Sequence, residues 1–190
     1  MKEKEYMRLE SDSIGTMEVP EDAYYGVQAL RAKENFPITG TKLHPVFIKN
    51  LAKIKRAAAI TNRKAGRLKP EIANAIEASA NEVICGMFDK DFIVDGIQGG
   101  AGTSANMNMN EVIANRAIEM LCGKKGDYTI VHPNDHVNMA QSTNDVIPTA
   151  GKLTVLDLLK PLDKSLSLLT DALYDKAAAF DHIVKIGRTQ

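Results

Sequence analysis

Apolar residues recur along most of this chain at the spacing of a helix. Between Pro45 and about Ala65, Phe47, Leu51, Ile54 and Ala58 follow i, i+4, i+7 intervals, with Pro45 placed to open a helix and Gly66 to close it. A second stripe, Ile72, Ile76, Ala80, Val83 and Met87, predicts a helix from Pro70 to about Phe88. The run "ANMNMNEVIANRAIEML" predicts a third, beginning near Ala105 and closed by Gly123. Beyond Pro148 the pattern is helical to about Lys160, and after Pro161 it resumes with Leu162, Leu166, Leu169, Leu173, Ala177 and Phe180. The first 40 residues break this rhythm: β-prone and turn residues punctuated by Gly15, Pro20, Gly26, Pro37 and Gly40 predict a short hairpin or an irregular arm. Two further pieces, "DFIVD" and "YTIVHP", are β-prone and short. The pattern therefore predicts a mainly α chain with helix-bundle stripes.

Composition narrows the classes open to such a fold. The 190 residues are 44% hydrophobic and 25% charged, the balance of a soluble globular chain that can bury a sizeable core. Lysine plus arginine equals aspartate plus glutamate at 24 each, so no net field draws in nucleic acid or an anionic membrane. Aromatics are 5% and tryptophan is missing, which argues against a base-stacking platform. Cys85 and Cys122 sit in no CxxC or Cys/His cluster and are expected as two buried thiols in a reducing cytoplasm, with no zinc site and no disulfide framework. The charged start "MKEKEYMRLE" is no signal sequence, and no apolar run approaches the roughly 18 residues of a membrane span. Charge clusters such as "KEKE" and "KIKR" are expected on solvated faces.

Two polar loops carry the candidate chemistry. In the first, Gly96, Gly99, Gly100 and Gly102 free backbone amides to approach a ligand, and Thr103 and Ser104 stand where a helix begins. One register, "GAGTSA", meets the dinucleotide G-x-G-x-x-G/A pattern, but the helical "ANRAIEML" occupies the place of the second strand that fingerprint requires. The simplest role for Thr103 or Ser104 is a helix cap; the sharper one is a donor to a carboxylate at the positive end of the helix. The second loop, "QSTNDVIPT", repeats the design: Ser142, Thr143 and Asn144 offer uncharged donors, Asp145 is placed to accept from neighbouring amides, and Pro148 begins the next helix. Two such loops feeding two helices suggest a shared anion site. His132 and His136 are separated by the turn "PND", so they lack the continuous helix that an i, i+4 metal pair needs, and no metal is expected.

Four ordered blocks, "GTMEVPEDAYYGVQALRAKENFPITG", "GGAGTSANMNMNEVIANRA", "HPNDHVNMAQSTNDVIPT" and "KIGRTQ", resemble aspartate ammonia-lyases of the aspartase and fumarase superfamily, from about residue 8 onward. The resemblance implies a helical N-terminal lyase domain over residues 1–141 and, over 142–190, the beginning of a central long-helix bundle that assembles a homotetramer. It implies reversible anti-elimination of ammonia from L-aspartate to fumarate, with no cofactor, through an enediolate-like state in which the β-carboxylate gains charge. Family pattern places Thr103, Ser142, Thr143 and Thr189 around that carboxylate, with Asn144 near the leaving amine. Preorganised neutral donors suit a carboxylate that gains charge in the transition state, and one such donor is worth about 10²–10³ in rate.

Within the superfamily, "GTSAN", the Ser142-Thr143-Asn144 triplet and Gln190 favour an aspartase over a fumarase, which carries histidine at the last position. The "HPND" block implies a second anion site formed by His132, Asn134 and Asp135, and Arg31 lies in a block near the site, where a structural salt bridge is an equal expectation. The family's serine loop, "GSS-x-MP-x-K-x-N", which carries the base and the lysine for the α-carboxylate, is absent from these 190 residues. The expectation is thus an N-terminal fragment, silent by itself. The alternatives are a class II fumarase-like hydratase and a non-catalytic helical interaction module.

Overall fold

The computed structural model describes residues 6–188. Two compact units divide the chain, Met1–Leu153 and Thr154–Gln190.

The expected hairpin opens the first unit as β1 (Met7–Ser11) and β2 (Thr16–Pro20), antiparallel, with Met7 opposite Pro20 and Ser11 opposite Thr16. The strands are short and their outer residues exposed, so side-chain bonds tie them to the neighbouring segment. The Arg8 guanidinium donates to Glu10 at 2.8 Å and to the carbonyls of Pro20, Ala23 and Tyr25 at 2.7–2.8 Å. Beyond the hairpin the chain is not an irregular arm. Residues Val27–Asn35 form a helix, α1, whose N-terminus has no local side-chain cap. Its leading amides are met from afar: Gly26, Gln28 and Ala29 donate to Glu111 at 2.8–3.0 Å, and Val27 to Glu10 at 3.0 Å. Two carboxylates thereby cap the positive end of α1, and neither could be read from the residues around it.

Next come α2 (Pro45–Lys64) and α3 (Pro70–Ile84), packed on each other and each opened by its proline. The His44 ring nitrogen caps α2 by accepting the Val46 amide at 3.1 Å. The buried stripe of α2 lies one position round from the expected one, through Ile48, Leu51, Ala52, Lys55, Ala59 and Asn62. Helix α3 ends four residues before Phe88, at Ile84, which leaves Met87 exposed.

At the centre is α4 (Thr103–Met120), thirteen of whose eighteen residues are buried. Two of its buried asparagines supply bonds that irregular segments lack. Asn108 accepts from the Ile93 amide and donates to the Asp91 carbonyl, and Asn115 accepts from Gly126 and donates to the Tyr24 carbonyl. Such pairing lets "DFIVD" be buried without becoming a strand, with only an isolated bridge between Lys42 and Asp95 formed there, whereas the amides of "YTIVHP" turn to Gly126, Asp127 and His136. The end of α4 is a left-handed turn in which Gly123 donates to Ile118 and Cys122 to Glu119. Cys122 and Cys85 are exposed, not buried, because both fall in the turns just past helix ends.

The last helix, α5, runs from Thr143 to Phe180, through both prolines. It starts five residues before Pro148 because Ser142 and Asp145 cap it, and each proline removes only one backbone bond from a run rich in helix formers. In the second unit Leu158, Leu162, Leu166, Leu169, Leu173 and Phe180 are all exposed. No helix among the described residues is long and apolar enough to cross a membrane.

Candidate active site

The first turns of α4 and α5 meet within the first unit. Gly102, at φ 91°, is the residue before α4, and a Cβ there would stand 2.8 Å from Cγ2 of Ile147 on α5. Only glycine satisfies both the left-handed backbone and that approach. One turn further on, Asn106 Nδ2 donates to Thr143 Oγ1 at 3.3 Å. The two polar loops singled out in the sequence are thus brought together. Each also holds a non-glycine residue in the left-handed region, Ala101 at φ 51° and Ala140 at φ 56°. Such conformations cost free energy and persist where the surroundings enforce them.

Local bonds account for the shape of both loops. Ser142 Oγ accepts the Asn144 amide at 3.2 Å while Asp145 accepts the Ser142 amide at 3.1 Å, a reciprocal cap with aspartate in the third helical position. Asp145 therefore does hold the loop, and Ser142 is a helix cap whose hydroxyl proton still has a direction to choose. Thr103 is the first residue of α4 and not its cap; its hydroxyl donates to the Gly100 carbonyl at 2.5 Å. Ser142, Asn144 and Thr103 are exposed and Thr143 is half-buried. Thr189 and Gln190 lie outside the described residues.

Behind Thr143 runs a buried polar chain that the sequence pattern did not reveal. Asn106 donates to Asn138 Oδ1 at 3.2 Å as well as to Thr143, and Lys55 Nζ donates to the same Asn138 oxygen at 2.8 Å. Lys55 belongs to the "KIKR" run expected on a solvated face, yet its relative exposure is 0%. Burial alone brings its ammonium down to about 7. A signal was available: Lys55 stands four residues after Leu51 and seven after Ile48, on the buried stripe. The "KEKE" cluster lies outside the described residues.

Beside the start of α4 opens a cleft of about 480 Å³ lined by Arg31, Ser104, Tyr128, His132 and Asn134 among others. His132 and Asn134 of the expected second anion site line it; Asp135 does not. His132 Nδ1 accepts the amides of Asn134 and Asp135 at 3.2 and 3.1 Å and lies 3.4 Å from the Asp135 carboxylate. The Nδ1 of His136 accepts the His132 amide at 2.9 Å, and burial lowers its proton affinity. Arg31 makes a two-bond salt bridge to Asp12, both at 3.1 Å. Burial alone would raise the Asp12 carboxyl, but Arg31 and the Ile14 and Gly15 amides outweigh it and hold the group below its ordinary value. Ser104, the residue after Thr103, lines this cleft, and Thr103 does not.

A family model described as Lyase matches residues 15–190. The chain belongs to the lyase family. An aspartate ammonia-lyase from Bacillus sp is 51% identical over 183 residues, 96% of this chain and 39% of the relative. A class II fumarate hydratase from Halobacterium salinarum is 54% identical over 183 residues, again 96% of this chain and 39% of the relative. Among solved structures, a fumarate lyase:delta crystallin from Brucella melitensis superposes with a TM-score of 0.93 at 47% identity, covering 97% of this chain and 44% of that one. This lyase-family chain spans about two-fifths of the length of the curated relatives it matches.

Proposed function

We propose that this chain supplies part of the active site of an aspartate ammonia-lyase, which converts L-aspartate reversibly to fumarate and ammonia. The observation that carries the reading is the junction of α4 and α5, where Asn106 ties Thr143 to the first turn of the neighbouring helix. In this reading Thr103, Ser142 and Thr143, joined by Thr189, hold the β-carboxylate, and Asn144 and Gln190 face the amino group. A base removes the proton beside the β-carboxylate, the electron pair passes into that carboxylate, and the C–N bond then breaks as the pair returns to form the double bond. The hydroxyls and two helix N-termini oppose the negative charge that gathers in the middle step. Thr103 turns from the Gly100 carbonyl to the carboxylate when substrate arrives.

In this reading the base comes from a serine-loop block of the kind the family carries, which these 190 residues do not contain, and the active assembly is a homotetramer in the cytoplasm. Exposed leucines on α5 support assembly, and two exposed free thiols suit a reducing compartment. The elimination moves a proton and ammonia and requires no redox cofactor. A second, weaker anion site is read at the cleft on His132 and Asn134, which line it, with Asp135 outside that lining and beside His132.

One observation favours a second reading: the fumarate hydratase relative is 54% identical, no further from this chain than the aspartase. That enzyme class would release water from L-malate at the same clamp. Supplying L-aspartate and L-malate separately to the full-length protein, and measuring fumarate, decides between them.

A further inference from the structure

The buried chain behind Thr143 has a fixed direction, and its direction starts at Lys55. The Asn138 amide nitrogen donates to the Gln141 carbonyl at 3.2 Å, which turns the Asn138 oxygen toward Lys55, and Lys55 Nζ donates to that oxygen at 2.8 Å. With an acceptor at that point, Asn106 must present its nitrogen, and it does so at 3.2 Å. The second hydrogen of the same nitrogen reaches Thr143 Oγ1. Thr143 is thereby made an acceptor on its inner side, so its hydroxyl hydrogen is left to point outward.

This orientation is held at a cost. Asn106 is 2% exposed, and among the described residues its side-chain oxygen has no hydrogen-bond partner. Leaving a buried acceptor unpaired costs about 1–3 kcal/mol. Turning the amide over would offer that oxygen to Asn138 Oδ1, an acceptor facing an acceptor, for as long as Lys55 holds Asn138 in place.

We propose that Lys55, Asn138 and Asn106 are positioning residues that set the donor direction of Thr143, so that its hydroxyl is committed to the substrate carboxylate before substrate binds. The inference rests on the carboxylate-clamp reading above and assigns the clamp a support three residues deep. Thr143 touches substrate; the other three act through it.

The test is a double-mutant cycle in the full-length protein, with Lys55→Met and Thr143→Val. Methionine keeps the length of the lysine chain and removes a charge that burial disfavours, while Asn138 Oδ1 keeps Asn106 as a donor, so the variant is expected to fold. Thr143→Val is expected to lower kcat by about a hundredfold, the scale of one lost donor. Lys55→Met is expected to lower kcat by about tenfold, within the range of coupling in one network, while leaving the unfolding midpoint no lower than in the parent. In the Thr143→Val background Lys55→Met should have no further effect. Full additivity overturns the relay, and so does an unchanged kcat in Lys55→Met. Failure of the parent to turn over aspartate or malate defeats the clamp reading instead. The methyl resonance of Thr143 then still decides the relay: Lys55→Met shifts it if the chain transmits, and an unmoved resonance overturns the proposal.

Discussion

Ser142 has two duties at once, closing the first turn of α5 through the Asn144 amide and offering a hydroxyl proton to a ligand. Glycine separates them, because it caps a helix almost as well as serine, within a few tenths of a kcal/mol, and has no hydroxyl. In the full-length protein Ser142→Gly is expected to keep its thermal midpoint and to lose turnover by about 10²–10³. Unchanged turnover would reduce Ser142 to a cap. Lys55 gives a second expectation, on stability. Burial moves its folded-state value from 10.5 down to about 7, so between those limits the unfolded chain holds a proton that the folded chain lacks. Stability then rises with pH across this window and is least below it. Urea unfolding at about pH 6 and about pH 9 should show the gap between the parent and Lys55→Met narrowing at the higher pH, with the variant ahead at the lower. A gap independent of pH contradicts the assignment. The two residues differ in legibility. Ser142 announces itself in a run of polar side chains before an apolar segment. Lys55 was hidden because charge type was read ahead of helical phase, although its distance from Leu51 marks it as buried.

Among elements, α1 is the one that local sequence reasoning did not find, and the reason is physical. Its cap is not in its own sequence; Glu111 on α4 and Glu10 on β1 supply it. Burial raises Glu111 to about 7 against the pull of the three amides it accepts. Glu111→Ala would leave those amides of Gly26, Gln28 and Ala29 without an acceptor, at about 1–3 kcal/mol for each one that stays buried. Hydrogen exchange at residues 26–29 is expected to accelerate far more than in α2, and equal acceleration in both would mean that α1 is held by packing instead. By contrast α2 and α3 were legible almost to their ends, since each is opened by a proline and carries a regular stripe. The start of α5 was misplaced because Pro148 looked like a first residue, whereas the reciprocal bonds of Ser142 and Asp145 had already begun the helix. Of the β-prone pieces, "DFIVD" stayed irregular because Asn108 of α4 satisfies part of its backbone, and "YTIVHP" because its amides turn to Gly126, Asp127 and His136 nearby.

At the scale of the molecule, the candidate site was legible as a pair of loops but not as a supported structure. Glycines, hydroxyls and amides at two helix starts were visible in order along the chain. Their convergence depends on Gly102 fitting against Ile147 and on Asn106 reaching Thr143, contacts across more than 30 residues of sequence. The second unit carries a different consequence. Its leucines Leu158, Leu162, Leu166, Leu169 and Leu173 are 41–62% exposed, a surface of the kind that marks association. Sedimentation of the 190-residue chain at rising concentration is expected to show self-association, and a monomer throughout would contradict it. The central claim concerns chemistry, and it is tested most directly by fumarate absorbance when the full-length protein is given L-aspartate and, separately, L-malate. Fumarate from aspartate and none from malate is the predicted result. Fumarate from malate alone, or from neither, would contradict it.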